Sequence, residues 1–169
     1  ADTAVPLLAL EAKIITGRDE GKRRAIPIDR FFTGPNQTVL RRDEIIKEII
    51  FPKPGSNTKM GYVKLGLRNA MAISVVSLAI LMEMEGNKCK RARIGLGAIA
   101  PTPIRAYRTE DLLMEKQITN ELIEECCKRV EQEVHPITDI RASAEYRREM
   151  TSVLLGRAIL KILSQSNPS

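Results

Sequence analysis

The sequence predicts an α+β fold, a layer of antiparallel strands followed by a layer of helices. Three observations carry that expectation. Short β-branched runs separated by glycine- and proline-rich turns fill the first part of the chain. The last third instead repeats its apolar residues at helical spacing. Between two groups of strands lies the segment 52–58, with Pro52, Pro54, Gly55, Ser56 and Asn57, which reads as a linker. No internal repeat or low-complexity tract interrupts this plan.

Taken in order, residues 6–12 are an apolar stretch leading into a strand over 12–16. Gly17-Arg18-Asp19-Glu20-Gly21 is turn chemistry, and a returning strand over 22–28 completes a hairpin. Residues 28–32 suit a short helical turn before the break at Gly34-Pro35-Asn36. The run 43–51 is rich in isoleucine and stops at Pro52, as a strand should. Beyond the linker, 61–65 is a short strand. Two long strands, 72–84 and 90–98, are joined by the turn Glu85-Gly86-Asn87-Lys88, and Pro101 and Pro103 close the sheet. Helices are expected at 110–114, 121–134 and 142–164. The second places Leu122, Ile123, Cys126, Cys127, Val130 and Val134 on one stripe; the third does so with Tyr146, Met150, Val153, Leu154, Ala158 and Ile162.

Composition narrows the function classes. Of 169 residues, 43% are hydrophobic and 28% charged, enough apolar material for a real core and too little net charge for disorder. The longest apolar run, 70–82, is broken by Ser74 and Ser77 and reads as a buried strand, so no membrane association is expected. Ala1-Asp2-Thr3 lacks the basic start and apolar core of a signal peptide. Cys89, Cys126 and Cys127 form no framework spacing, and adjacent cysteines on a helix diverge by about 100°. Reduced thiols used as small apolar residues in a cytoplasmic protein are the expectation. The net charge of +6 sits in short runs such as Lys22-Arg23-Arg24 and Arg147-Arg148. Nucleic-acid binders interleave such charge with stacking aromatics. Here aromatics are 4% with no tryptophan, so solvated faces, or a surface that meets an acidic partner subunit, explain the runs more simply.

Catalytic machinery is hard to assemble. The single histidine, His135, precedes Pro136 and has no second ligand or carboxylate cluster near it in sequence. Gly95-Leu96-Gly97 is an isolated glycine pair in strand context, where close packing is the usual reason. The residues alone give an α+β module with no catalytic and no metal-binding set. A non-catalytic basic binding module on a similar fold, with nucleic acid as one candidate ligand, is the alternative that this composition leaves open.

Several segments, in order, resemble the FAD-binding subunit of xanthine dehydrogenases and the related carbon monoxide dehydrogenase medium subunit. They are the opening Ala1-Asp2-Thr3-Ala4-Val5-Pro6-Leu7-Leu8, the run from Pro27 through Asp29-Arg30-Phe31-Phe32 to Pro35, and Asp43-Glu44-Ile45-Ile46. Tyr62-Val63-Lys64-Leu65, the run from Gly95 through Ala100-Pro101-Thr102-Pro103 to Arg105, and Asp139-Ile140-Arg141-Ala142-Ser143-Ala144-Glu145-Tyr146-Arg147 follow. The resemblance implies that residues 1–55 are the incomplete tail of a flavin-binding α+β domain. Residues 56–169 would then be a C-terminal domain of about three antiparallel strands on a helical layer. It implies electron transfer from [2Fe–2S] clusters on a small subunit through FAD to NAD or another acceptor, with a molybdenum cofactor on a large subunit. Carried over by position, Asp2, Ile46 and Lys64 would contact the flavin. Read without the resemblance, Lys64 is an edge-strand lysine that blunts pairing. The family's glycine loops lie upstream of Ala1, so the chain is expected to be a fragment that does not hold FAD by itself. One departure stands out: Asn69-Ala70-Met71 occupies a loop that is acidic in animal xanthine dehydrogenases.

Overall fold

The computed structural model describes residues 2–18, 22–68 and 72–164. Its opening differs from the sequence expectation. Helix α1 spans Ala4–Ala9 where an apolar run into a strand is predicted. Six residues are too few for a helical stripe to declare itself in sequence, and Pro6 is harmless in a first turn. Strands β1 (Lys13–Gly17) and β2 (Arg23–Pro27) form the expected hairpin, and a 3-10 turn follows at Ile28–Arg30. A small hairpin, β3 (Phe32–Gly34) with β4 (Gln37–Thr38), turns through Asn36, which has φ of 56°. Strand β5 (Ile45–Ile50) then adds to β1, giving an antiparallel sheet of order β2-β1-β5.

The second sheet is built on three long strands, β6 (Thr58–Gly66), β7 (Ser74–Glu85) and β8 (Lys88–Gly97), all antiparallel. The β7–β8 turn contains Gly86 at φ 59°, the left-handed geometry that favours glycine. Strand β6 starts at Thr58, inside the predicted linker, and runs longer than expected. Two short strands widen the sheet: β9 (Ile104–Arg105) pairs with β8, as does β10 (Lys116–Gln117). Between them lies α2 (Tyr107–Leu113), and after them α3 (Asn120–Glu131) and α4 (Ala144–Ser164). Thr119 caps α3 by accepting from the Leu122 N–H at 3.2 Å.

The main core lies between this sheet and the helices. It unites Leu78, Ile80, Met82, Ile94 and Leu96 with Leu122, Cys126, Leu155, Ile159 and Ile162. Burial pushes the thiols of Cys89 and Cys126 up to about 11 and about 12, so both act as apolar fillers. On α4 the buried face is rotated from the predicted stripe. Arg147 and Thr151 point inward with Leu154 and Ala158, while Tyr146 is largely exposed. Arg147 is 1% exposed, and its guanidinium donates to the carbonyls of Val75 at 2.7 Å and Ala98 at 2.9 Å and to Asp139 Oδ1 at 2.7 Å.

The opposite sheet face is covered too. Register puts Lys64, Ser77 and Gly97 in one transverse row and Tyr62, Ala79 and Gly95 in the next. Helix α1 lies across them, with Val5 and Ala9 packed on Ala79 and Leu81. A Cβ on Gly95 would meet the Val5 carbonyl oxygen at 2.3 Å, and one on Gly97 would meet Val5 Cγ2 at 2.5 Å. At Gly95 only hydrogen lets the helix backbone settle on the strand, while at Gly97 it leaves room for the Val5 and Ser77 side chains. Covered on both faces, β7 is a continuous apolar run instead of an alternating one.

Candidate functional site

Where α1 begins, it brings Asp2 down beside β6 and β7. Lys64 Nζ donates to Asp2 Oδ2 at 2.5 Å, and Ser74 Oγ donates to Asp2 Oδ1 at 2.7 Å. Both carboxylate oxygens are therefore held, one by a cation and one by a hydroxyl. Lys64 and then Ser74 hold the Asp2 carboxyl below the usual aspartate range. Tyr62 lies two residues before Lys64 on the same face, and burial raises its hydroxyl above the ordinary tyrosine value. Acidic, basic and phenolic groups thus converge on one end of a rigid sheet.

Of these groups Asp2 and Ser74 line a cleft of about 620 Å³, together with Phe32, Ile73, Ser77 and Arg141 among others. Ile73 is 70% exposed and presents an apolar wall. Arg141 and Arg147 both bind the carboxylate of Asp139, and Arg141 then Arg147 hold it well below the ordinary range. The Ala98 backbone beside this cleft has φ of 65°, sparsely populated for alanine, and its carbonyl is gripped by Arg147.

Two of the three sequence-predicted site residues, Asp2 and Lys64, are thus in direct contact although 62 positions apart. The third, Ile46, lies on the other sheet, opposite Thr16, and is 44% exposed. Ser74 and Tyr62 are additions that sequence reasoning missed; the period-2 face shared by Tyr62 and Lys64 was the available signal for the tyrosine. The loop departure at 69–71 lies outside the described residues. Among the described residues no group of three or more His, Cys, Asp or Glu could hold a metal ion, and no helix is long and apolar enough to cross a membrane.

Residues 61–162 match the family model described as the CO dehydrogenase flavoprotein C-terminal domain, well over half of the chain. The chain belongs to this family. Residues 1–54 match the model of the FAD-binding domain in molybdopterin dehydrogenase. Among the relatives of this flavoprotein is the xanthine dehydrogenase FAD-binding subunit of Escherichia coli O157:H7, 31% identical over 94% of the chain and 54% of the relative. The carbon monoxide dehydrogenase medium chain of Hydrogenophaga pseudoflava is 30% identical over 90% of the chain and 52% of its own length. A solved carbon monoxide dehydrogenase from Hydrogenophaga pseudoflava superposes with a TM-score of 0.88 at 27% identity, covering 96% of this chain and 59% of that one. The flavoprotein chain spans about half the length of the relatives it matches. Its membership among dehydrogenase flavoprotein subunits and its mixed antiparallel fold agree with the sequence expectation.

The Asp2 pair gives the site a pH limit. A carboxyl whose folded pKa is depressed adds stability that is complete above the ordinary aspartate value of 3.8 and is lost as pH falls through the depressed one. Asp2→Asn should therefore narrow its stability gap to wild type as the pH is taken down through that window. Urea midpoints measured from neutral to acid pH check this, and a gap independent of pH would show that the pair carries no linkage.

Proposed function

We propose that this chain is the part of an FAD-binding subunit, of a xanthine dehydrogenase-type molybdenum hydroxylase, that supplies Asp2, Lys64 and Ile46 to the flavin. Electrons would arrive from [2Fe–2S] clusters on a small subunit, downstream of a molybdenum-binding large subunit, and leave through FAD to NAD or another acceptor. The proposed division has residues 1–55 completing the flavin-binding domain and 56–169 forming the C-terminal domain.

The observation that carries the proposal is the Asp2–Lys64–Ser74 set, of which Asp2 and Ser74 line a cleft together with the exposed Ile73. A carboxylate accepts and an ammonium donates within one short span. Such a pair suits the edge of a heteroaromatic ring with an N–H beside a carbonyl, so the residues present fit one edge of a flavin. FAD, when bound, supplies the redox chemistry; the chain orients it and sets the charge around it. Asp2 would serve as an acceptor toward it, Lys64 would supply a positive charge beside it, and Ile73 would offer it an apolar wall. Donors for the FAD pyrophosphate would be backbone N–H groups of the glycine loops that the resemblance implies, outside the part that this chain spans.

The test is a visible spectrum. The chain alone should purify without stoichiometric flavin absorbance, whereas the chain joined to the upstream part of its flavin-binding domain should purify yellow. Asp2→Asn and Lys64→Met should weaken retention in the joined form. Stoichiometric flavin on the chain alone would overturn the dependence on upstream donors, and unchanged retention in both variants would overturn the assigned contacts.

A further inference from the structure

Helix α1 ends on a position that glycine normally fills. The Ala12 N–H donates to the Leu7 carbonyl and the Glu11 N–H to the Leu8 carbonyl, both at 3.0 Å, a Schellman closure. The left-handed residue of that closure is Glu11, at φ 52°. A side chain is strained there where glycine would not be. What the glutamate gains is three cations. Its two oxygens accept from Arg91 Nη2 at 2.8 and 3.0 Å, Oε2 stands 2.9 Å from Arg93 Nε, and Oε1 lies 3.5 Å from Arg105 Nη1. The side chains of Arg93 and Arg105 are nearly buried, and each also holds a second carboxylate, Glu83 and Glu110 respectively. Three arginines thus meet three glutamates, and without Glu11 one positive charge in this partly dry cluster is left over.

The positions of these arginines connect the cluster to Asp2. Alternate residues on one face of β8 are Arg91, Arg93, Gly95 and Gly97. The two glycines lie under Val5, and Gly97 shares its row with Ser77 and Lys64. The segment is therefore fastened along one line of the sheet. Asp2 is held by Lys64 and Ser74 at one end, Val5 sits on Gly95, and Glu11 is held by Arg91, Arg93 and Arg105 at the other. A helix of six residues has little stability of its own, so anchors of this kind decide where it lies. We propose that Glu11 is a positioning residue for the Asp2–Lys64 pair: its grip on the three arginines fixes the lie of α1, and with it the place of Asp2. The bearing of this on the flavin rests on the function proposed above; the positioning itself concerns a pair that the chain forms without flavin.

The test reads Asp2 directly, by carbon-13 NMR titration of its carboxyl in the chain alone. Glu11→Gln keeps the length of the side chain and removes its charge. The Asp2 midpoint, held low by Lys64 and Ser74, should then move up toward the ordinary 3.8. Loss of a negative charge acting only through space would move it the other way, down. Glu11→Gly relieves the left-handed strain, yet it should raise the Asp2 midpoint in the same sense and lower the urea midpoint of unfolding. Leu122→Ala, in the core on the other face of the sheet, should lower the urea midpoint and leave Asp2 where it is. An Asp2 midpoint that stays or falls in Glu11→Gln, or that Leu122→Ala moves as much, would overturn the proposal. So would a raised urea midpoint in Glu11→Gly, because the glutamate would then be a misfit that the fold tolerates. In the joined form, Glu11→Gln should weaken flavin retention about as much as Asp2→Asn does. An Asp2 midpoint that rises with retention unchanged supports the positioning role and counts against the flavin contact alone.

Discussion

Arg147→Met is expected to lower the unfolding free energy by roughly 3–5 kcal/mol, the range seen when one partner of a buried ion pair is removed. The side chain is 1% exposed and ties α4 to the ends of β7 and β8 through Val75 and Ala98, with its third bond to Asp139. Methionine reproduces the stem but leaves two buried carbonyls without a donor and removes one cation from Asp139. It also releases the Ala98 carbonyl that helps hold a residue at φ 65°. Urea unfolding followed by circular dichroism would show the midpoint falling with little change in slope. A loss below about 1 kcal/mol would mean that the network is replaceable by apolar packing. Arg147→Lys, which keeps the charge but has a single nitrogen where Arg147 uses Nη1 for the two carbonyls and Nη2 for Asp139, should fall between Met and wild type.

Lys64→Met and Asp2→Asn should shift the flavin potential in opposite directions when measured in the joined, flavin-loaded form. Lys64 is paired with Asp2 at 2.5 Å, so a nearby ring feels an oriented pair of charges and no isolated cation. Removing the lysine leaves a bare carboxylate and should lower the potential. Removing the aspartate charge leaves a bare ammonium and should raise it. At an effective dielectric of about 20, a unit charge at about 4 Å is worth about 4 kcal/mol. That ceiling corresponds to about 90 mV for a two-electron couple, and water will leave only a fraction of it. The double variant should return most of the way to wild type. Two single variants shifting the same way, or neither shifting, would place the pair away from the flavin.

Much of this fold is legible in the sequence because its signals are local. The β7–β8 hairpin is written in Glu85-Gly86-Asn87-Lys88 and in the apolar runs on either side, and α3 in its cap and stripe. What escapes reading is set by distance. Asp2 and Lys64 meet only because α1 crosses a sheet floored by Gly95 and Gly97, and no periodicity links positions 62 apart. The α4 stripe misleads for a physical reason. Apolar Tyr146 and Met150 satisfy helical spacing as well as Arg147 and Thr151 do, and only carbonyls contributed by the distant Val75 and Ala98 make an arginine the better inward residue. The flavin assignment came from ordered family segments, since one lysine beside one aspartate is common on protein surfaces.

The glycine floor under α1 also bears on how such subunits can be recombined. The helix lies in the part matched by the flavin-binding model, and its seat, Gly95 and Gly97, lies in the part matched by the C-terminal model. A chimera joined anywhere between residues 54 and 61 would therefore inherit its helix from one parent and the seat from another. Parents that carry alanine or larger at the Gly95 position would lift α1 off the sheet, and Asp2 away from Lys64 with it, and at the Gly97 position a side chain would press on Val5 and Ser77. Exchanging flavin-binding halves between family members should succeed only where the helix and the two-glycine seat travel as a set.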